Sequence, residues 1–269
     1  MASTLSPVLD IAAAGAGAAS AAESATHTRR AESLAVWSML FVRSCLAIGF
    51  QILVAVVAWL VGSADPWRAS ADWWLGWFAL ANVANLALLR WLLHREGRQL
   101  RDLYRIRRQD LRADLRWVVL ALVVAAPIGF LPNLLLGQAL WGSAQVGQDL
   151  SFRALPVAAA VSLLMVFPIV QAAAELPTYF GYVMPRLAAR YGWRSGALVL
   201  AAAVLSTQHI VLPFLFDWRF LVWRGLMFVP FALWVGFVIY RRPTALPYLA
   251  VGHGLLDASL PVMVVLVSV

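Results

Sequence analysis

Apolar runs of about 20 residues alternate with short polar connections along most of this chain, the length needed to cross a bilayer core as a helix. The runs cover residues 34–61, 73–93, 117–141, 155–175, 195–212, 220–240 and 245–267. A further short or re-entrant helix near 177–192 would raise seven elements to eight. The pattern therefore predicts an all-α, polytopic transmembrane helix bundle, with residues 34–269 as one domain, because the linkers are too short to fold separately. Residues 1–33 are rich in Ala, Gly, Ser and Thr without periodicity, and Arg29 and Arg30 follow the weakly apolar part instead of preceding it. A secretory signal has the opposite order, so a disordered cytoplasmic tail is expected, with an organelle-targeting peptide as the alternative.

At the ends of the first two runs, Trp59, Trp67, Trp73, Trp74 and Trp77 sit where an interfacial aromatic belt belongs. Asn82 and Asn85 share a helix face as hydrogen-bonding glue between spans. Residues 95–116 carry eight Arg against Glu96, Asp102, Asp110 and Asp114, with Leu100, Leu103, Tyr104, Leu111 and Leu115 near helical spacing. That pattern predicts an amphipathic helix on an anionic membrane face. Pro127 and Pro132 predict a kink in the third span. Pro177, Gly181 and Pro185 predict a break or bend after the fourth.

Composition agrees with the pattern: 62% of residues are apolar and mean hydropathy is +0.79, against roughly 45–50% apolar in soluble domains. The formal charge of +8 does not point to nucleic acid, because all 21 basic residues are Arg and they cluster in short connections between apolar runs. Arg concentrates in the tail, 95–116, 186–194 and 241–242, which by the positive-inside rule puts the N-terminus in the cytoplasm and the C-terminus opposite. The absence of Lys and the Ala-rich tail fit a bacterial inner membrane. The one cysteine, Cys45, permits no internal disulfide and no cysteine-based zinc site.

The most expensive residue is Glu175, a carboxylate at the end of an apolar run. Facing lipid would cost it several kcal/mol, so it must meet protein, water or a proton. Polar company at membrane depth is expected from His209 and from His253 and Asp257, which are four apart on one helix face. At about 1.5 Å rise per residue, His253 and Asp257 lie about 12 and 18 Å into their span and His209 about 21 Å into its own. The four groups can thus converge in one layer, supported by Gln171 and Gln208. Two imidazoles and two carboxylates fit a zinc-type divalent metal with an open water position, or a water polarised without metal. A buried Glu175 is then the general base of a hydrolysis. The other reading is a structural hydrogen-bond network tying the fourth, fifth and seventh spans.

Glu175 followed by Gly181, Tyr182 and Pro185-Arg186-Leu187, then Leu205-x-x-x-His209, then His253-x-x-x-Asp257, resembles the three motifs of the CPBP intramembrane metalloproteases, which include the CAAX prenyl endopeptidases and the Abi proteins. The family pattern is Glu-Glu-x-x-x-Arg-Gly, Phe-x-x-x-His and His-x-x-x-Asn/Asp on a multi-helix membrane core, and the likeness covers residues 155–267. It implies an intramembrane endopeptidase acting on a membrane protein or lipidated peptide. Glu175 would activate water, and His209, His253 and Asp257 would serve, with Glu175, as metal ligands, zinc foremost, or as polarising groups in a metal-free site. The second glutamate of the first motif is here Leu176, its arginine Phe180, and the phenylalanine of the second motif Leu205. Losing the Glu and the Arg together removes an ion pair without leaving an orphan charge. Those departures motivate the alternative of an inactive membrane scaffold or bacteriocin-immunity-type protein.

Overall fold

A computed structural model describes the backbone of residues 6–269 and the side chains of residues 33–269. Of the tail expected to be disordered, residues 1–5 lie outside the described residues, and the backbone of 6–33 is helical as the first part of the helix that continues to Leu60. The chain divides into two units, Met1–Ser38 and Met39–Val269; the second carries the features below.

No strand occurs among the described residues, and seven helices are long and apolar enough to span a bilayer: Ser33–Leu60, Trp74–Arg95, Leu100–Trp141, Val157–Tyr191, Arg194–Val211, Trp218–Arg241 and Pro243–Ser268. The molecule is an integral membrane protein of all-α class. Several spans are subdivided. In chain order the α-helices are α1 (Ser6–Leu60), α2 (Pro66–Asp72), α3 (Trp74–Arg95), α4 (Leu111–Trp141), α5 (Val146–Ser151), α6 (Val157–Leu176), α7 (Met184–Tyr191), α8 (Arg194–Thr207), α9 (Trp218–Leu226), α10 (Val229–Arg241), α11 (Leu246–Asp257) and α12 (Ser259–Ser268).

Helix α6 is the central element and packs against α3, α11 and α12, while α10 packs against α4 and α8. Small residues set the closest approach, as membrane helices require when lipid offers no hydrophobic drive to associate. A Cβ on Gly254 of α11 would lie 2.6 Å from Ala172 Cβ and 2.8 Å from Pro168 O of α6. Only glycine lets the two backbones come that near. Aromatic side chains fill the other side of α6, where Trp74 and Phe78 of α3 meet Phe167.

Two features depart from the sequence reading. Residues 95–116 do not form one amphipathic helix. They fold as short 3-10 turns, Leu100–Tyr104 and Arg108–Asp110, before α4 begins. The cause is tertiary: Gln99 and Asp102 cap each other's backbone, Leu103 is buried beside Gly181, and Tyr104 turns inward. Asp110 and Asp114 both pair with Arg242, which fixes the start of α4 to the connection between the last two spans.

The fourth span also does not break. It continues through a π-helical turn, Pro177–Val183, directly into α7. Pro177 has no N–H to give the carbonyl of Ala173, four residues back. The Tyr104 hydroxyl donates to that same carbonyl. The orphaned acceptor is thereby satisfied from another element, and the helix carries on with a widened turn. Helix α4 carries Pro127 and Pro132 in its interior.

Candidate functional site

Five elements bring polar side chains to the C-terminal end of α6, and Glu175 is at their focus with no exposed surface. Its Oε2 accepts from Arg43 Nη2 at 2.9 Å, Gln171 Nε2 at 2.9 Å and Gln208 Nε2 at 2.7 Å. Its Oε1 lies 2.8 Å from His253 Nε2. Arg43 is the cation of the cluster. It comes from α1, whose buried face repeats at Leu40, Arg43, Ala47 and Gln51.

Every side of the Arg43 fork is used. Nε donates to Gln208 Oε1 at 3.1 Å, Nη1 to Asn82 Oδ1 at 2.6 Å, and Nη2 also reaches Gln171 Oε1 at 3.2 Å. Asn82 Nδ2 donates in turn to Gln171 Oε1 at 2.8 Å, and the Tyr179 hydroxyl to Gln208 Oε1 at 3.0 Å. The guanidinium stacks over Phe78, 5.1 Å from the ring centre. Desolvating a lone Arg or Glu at this depth would be prohibitive; desolvating them as a hydrogen-bonded pair with three amides is not.

On the other side of Glu175, His253 and Asp257 stand on one face of α11, with His253 Nε2 3.2 Å from Asp257 Oδ2. Because Nε2 faces two carboxylate oxygens, it carries the proton. His253 Nδ1 is buried without a hydrogen-bond partner, and the Nε2–H is aimed at Glu175 with Asp257 Oδ2 beside it. The two side chains keep 11% and 17% of their surface exposed, whereas Glu175 keeps none. A cavity of about 10 Å³ adjoins them, lined by Ala121, Leu122 and Ala125 of α4, Leu176 of α6, and Phe231 and Val235 of α10, as well as by Leu249, His253 and Leu256.

Of the four residues singled out in the sequence, the structure thus joins Glu175, His253 and Asp257 in one hydrogen-bonded group. The hydrogen bonds of His209 go elsewhere. Its Nδ1 lies 3.1 Å from the carbonyls of Leu205 and Ser206, and its ring packs on Phe228 at 4.1 Å. Behind it, the buried Arg224 donates to the carbonyls of His209 and Leu212, which the end of the fifth span leaves open. Arg224 is a cap for that end, held among the rings of Trp74, Trp223 and Phe228. Tyr182 and Arg186 also lie away from the site, where both bond Glu96 at the end of α3.

Among the described residues no three His, Cys, Asp or Glu form a ligand group. Glu175 gives one oxygen to three donors, a permanent cation among them, and the other to an imidazole N–H. A divalent ion there would stand against Arg43.

Arg43 is what the sequence reading missed, together with the role of Asn82. To the polar company expected from the fifth and seventh spans the structure adds the first span, whose Arg43 reaches Glu175, and the second, whose Asn82 holds Arg43 and Gln171. The signal was present, since an Arg ten residues into an apolar span must find a partner.

Comparison of the chain with family models, curated proteins and solved structures finds no match. The site therefore rests on its own geometry.

Proposed function

We propose that this protein is an intramembrane peptidase that hydrolyses a peptide bond in a membrane-associated protein or peptide. The observation that carries the reading is the His253 imidazole held between the Glu175 and Asp257 carboxylates at membrane depth. The Arg43–Glu175 pair balances its own charge and needs neither His253 nor Asp257 for that. An imidazole between two carboxylates, partly exposed on α11, suits the binding and activation of water against a carbonyl. The order of Glu175, His209, His253 and Asp257 along the chain resembles that of the CPBP intramembrane proteases and supports the same reading. The chemistry proposed routes no step through a metal. Arginine placement supports a bacterial inner membrane with the N-terminus in the cytoplasm.

A non-catalytic membrane scaffold is the second reading, favoured by the full burial of Glu175 and the occupation of both its oxygens. The test compares peptide termini in membranes from cells expressing wild type or Glu175→Gln at matched levels. Termini made only by the wild type are expected; identical profiles would leave the scaffold.

A further inference from the structure

The four carboxylates of residues 95–116 are all committed. Glu96 is bonded by Arg186, Asp102 accepts from the backbone of Gln99, and Asp110 and Asp114 both pair with Arg242. None of them is bonded to an arginine of its own stretch. Arg105, Arg107, Arg108, Arg112 and Arg116 are exposed, and none of the five makes an ion pair or a side-chain hydrogen bond among the described residues. Folding thus separates charges that the sequence interleaves: the acids are tied within the protein and the cations are left outside.

Repulsion is built into this arrangement. Arg112 and Arg116 are one turn apart on α4, a like-charge pair that weakens a helix unless an anion comes between them. The backbone is extended at Arg105 and Arg107, on either side of Ile106, and Arg108 opens the next turn. Apolar side chains stand among the cations, with Ile106, Leu111 and Leu115 being 56%, 38% and 43% exposed. Leu115 begins the outward stripe that Val119 and Val123 continue along α4, while Asp114, Val118, Ala121 and Ala125 are buried on its other side. The helix becomes continuously apolar from Trp117. The five arginines therefore lie where hydrocarbon gives way to headgroups.

We propose that Arg105, Arg107, Arg108, Arg112 and Arg116 form a binding surface for the anionic phospholipid headgroups of the surrounding bilayer. The guanidinium groups donate to phosphodiester oxygens. A phosphate between Arg112 and Arg116 removes their repulsion, and Ile106, Leu111 and Leu115 enter the acyl boundary beneath. A soluble polyanion offers the charge but no apolar layer for these three side chains. The surface differs from the amphipathic helix expected from the sequence, because a connection of 3-10 turns presents the arginines at the head of α4. It is independent of the peptidase reading.

The test uses the full chain in phosphatidylcholine bilayers, in a Cys45→Ala background with a bimane fluorophore attached through Ala113→Cys. Quenching is compared between phosphatidylglycerol and phosphatidylcholine that carry a nitroxide near the headgroup. The anionic lipid is expected to be preferred at least about fivefold, the worth of one arginine at an anionic surface, and the preference to shrink in high salt. A fluorophore attached through Asp149→Cys is expected to show no preference. Arg105→Gln/Arg107→Gln/Arg108→Gln and, independently, Arg112→Gln/Arg116→Gln are each expected to lower the preference at Ala113→Cys at least about twofold, and all five changes together to abolish it. The changed side chains make no bonds in the protein, and an unaltered unfolding temperature in phosphatidylcholine verifies the fold. No preference with the wild-type arginines overturns the proposal, as does a preference that survives the loss of all five or is equal at Asp149→Cys. An RNA oligonucleotide whose binding the five arginines carry, without any lipid preference, assigns the surface to a soluble polyanion and overturns it equally.

Discussion

The Arg43–Glu175 pair is the residue-level feature with the largest expected effect, because each charge is buried and each is the other's main compensation. Arg43→Met leaves the buried carboxylate without its permanent counter-charge and is expected to destabilise the protein by about 3–5 kcal/mol. Replacing both residues by Met removes the charges together. The double variant is therefore expected to recover about 2 kcal/mol or more relative to the sum of the single effects, read by a double-mutant cycle on unfolding in detergent. Strict additivity would mean that the two side chains do not meet. At this scale the sequence was legible where spacing alone fixed a relation, as with His253 and Asp257 on successive turns. It was illegible for Arg43, whose distance of 132 residues from Glu175 carries no periodic signal, and for His209, whose ring orientation is decided by the local 3-10 turn (Gln208–Val211) and by Phe228.

Among the elements, α6 and α11 decide whether the site exists. Gly254 sits next to His253 and permits their approach, so Gly254→Val is expected to push α11 away from Pro168 and Ala172, costing about 1–3 kcal/mol. The same shift is expected to break the His253–Glu175 hydrogen bond, visible as a changed His253 ring resonance; an unchanged resonance would place the contact elsewhere. Tyr104→Phe returns Ala173 O to the unsatisfied state that Pro177 creates, at about 1–3 kcal/mol. Hydrogen exchange is expected to rise in the π turn and not in α3. Span positions were readable because hydropathy at this length has few alternatives. The π turn was not, because a proline announces the donor it lacks but not the hydroxyl that substitutes for it. The helix expected over residues 95–116 failed for a related reason. Its apolar positions, Leu103 and Tyr104, are spent on the bundle instead of on a membrane surface.

For the molecule as a whole, the expected topology has the Arg-rich connections on one side of the bilayer. The ties of Arg242 to Asp110 and Asp114, and of Arg186 to Glu96, join those connections at one end of the bundle. In a Cys45→Ala background, single cysteines at Arg98 and Arg241 are expected to react with an impermeant maleimide from the same side, and one at Asp149 from the other. The bundle holds a charged cluster in apolar surroundings, and peptide hydrolysis is the use proposed for the His253 imidazole held between Glu175 and Asp257. The most direct test of that central claim is a quantitative comparison of peptide termini in membranes expressing wild type, Glu175→Gln and His253→Gln, each verified as folded. One shared set of termini present with the wild type and lost in both variants is the predicted result. Three identical profiles from folded proteins would contradict it and leave the cluster as structural glue.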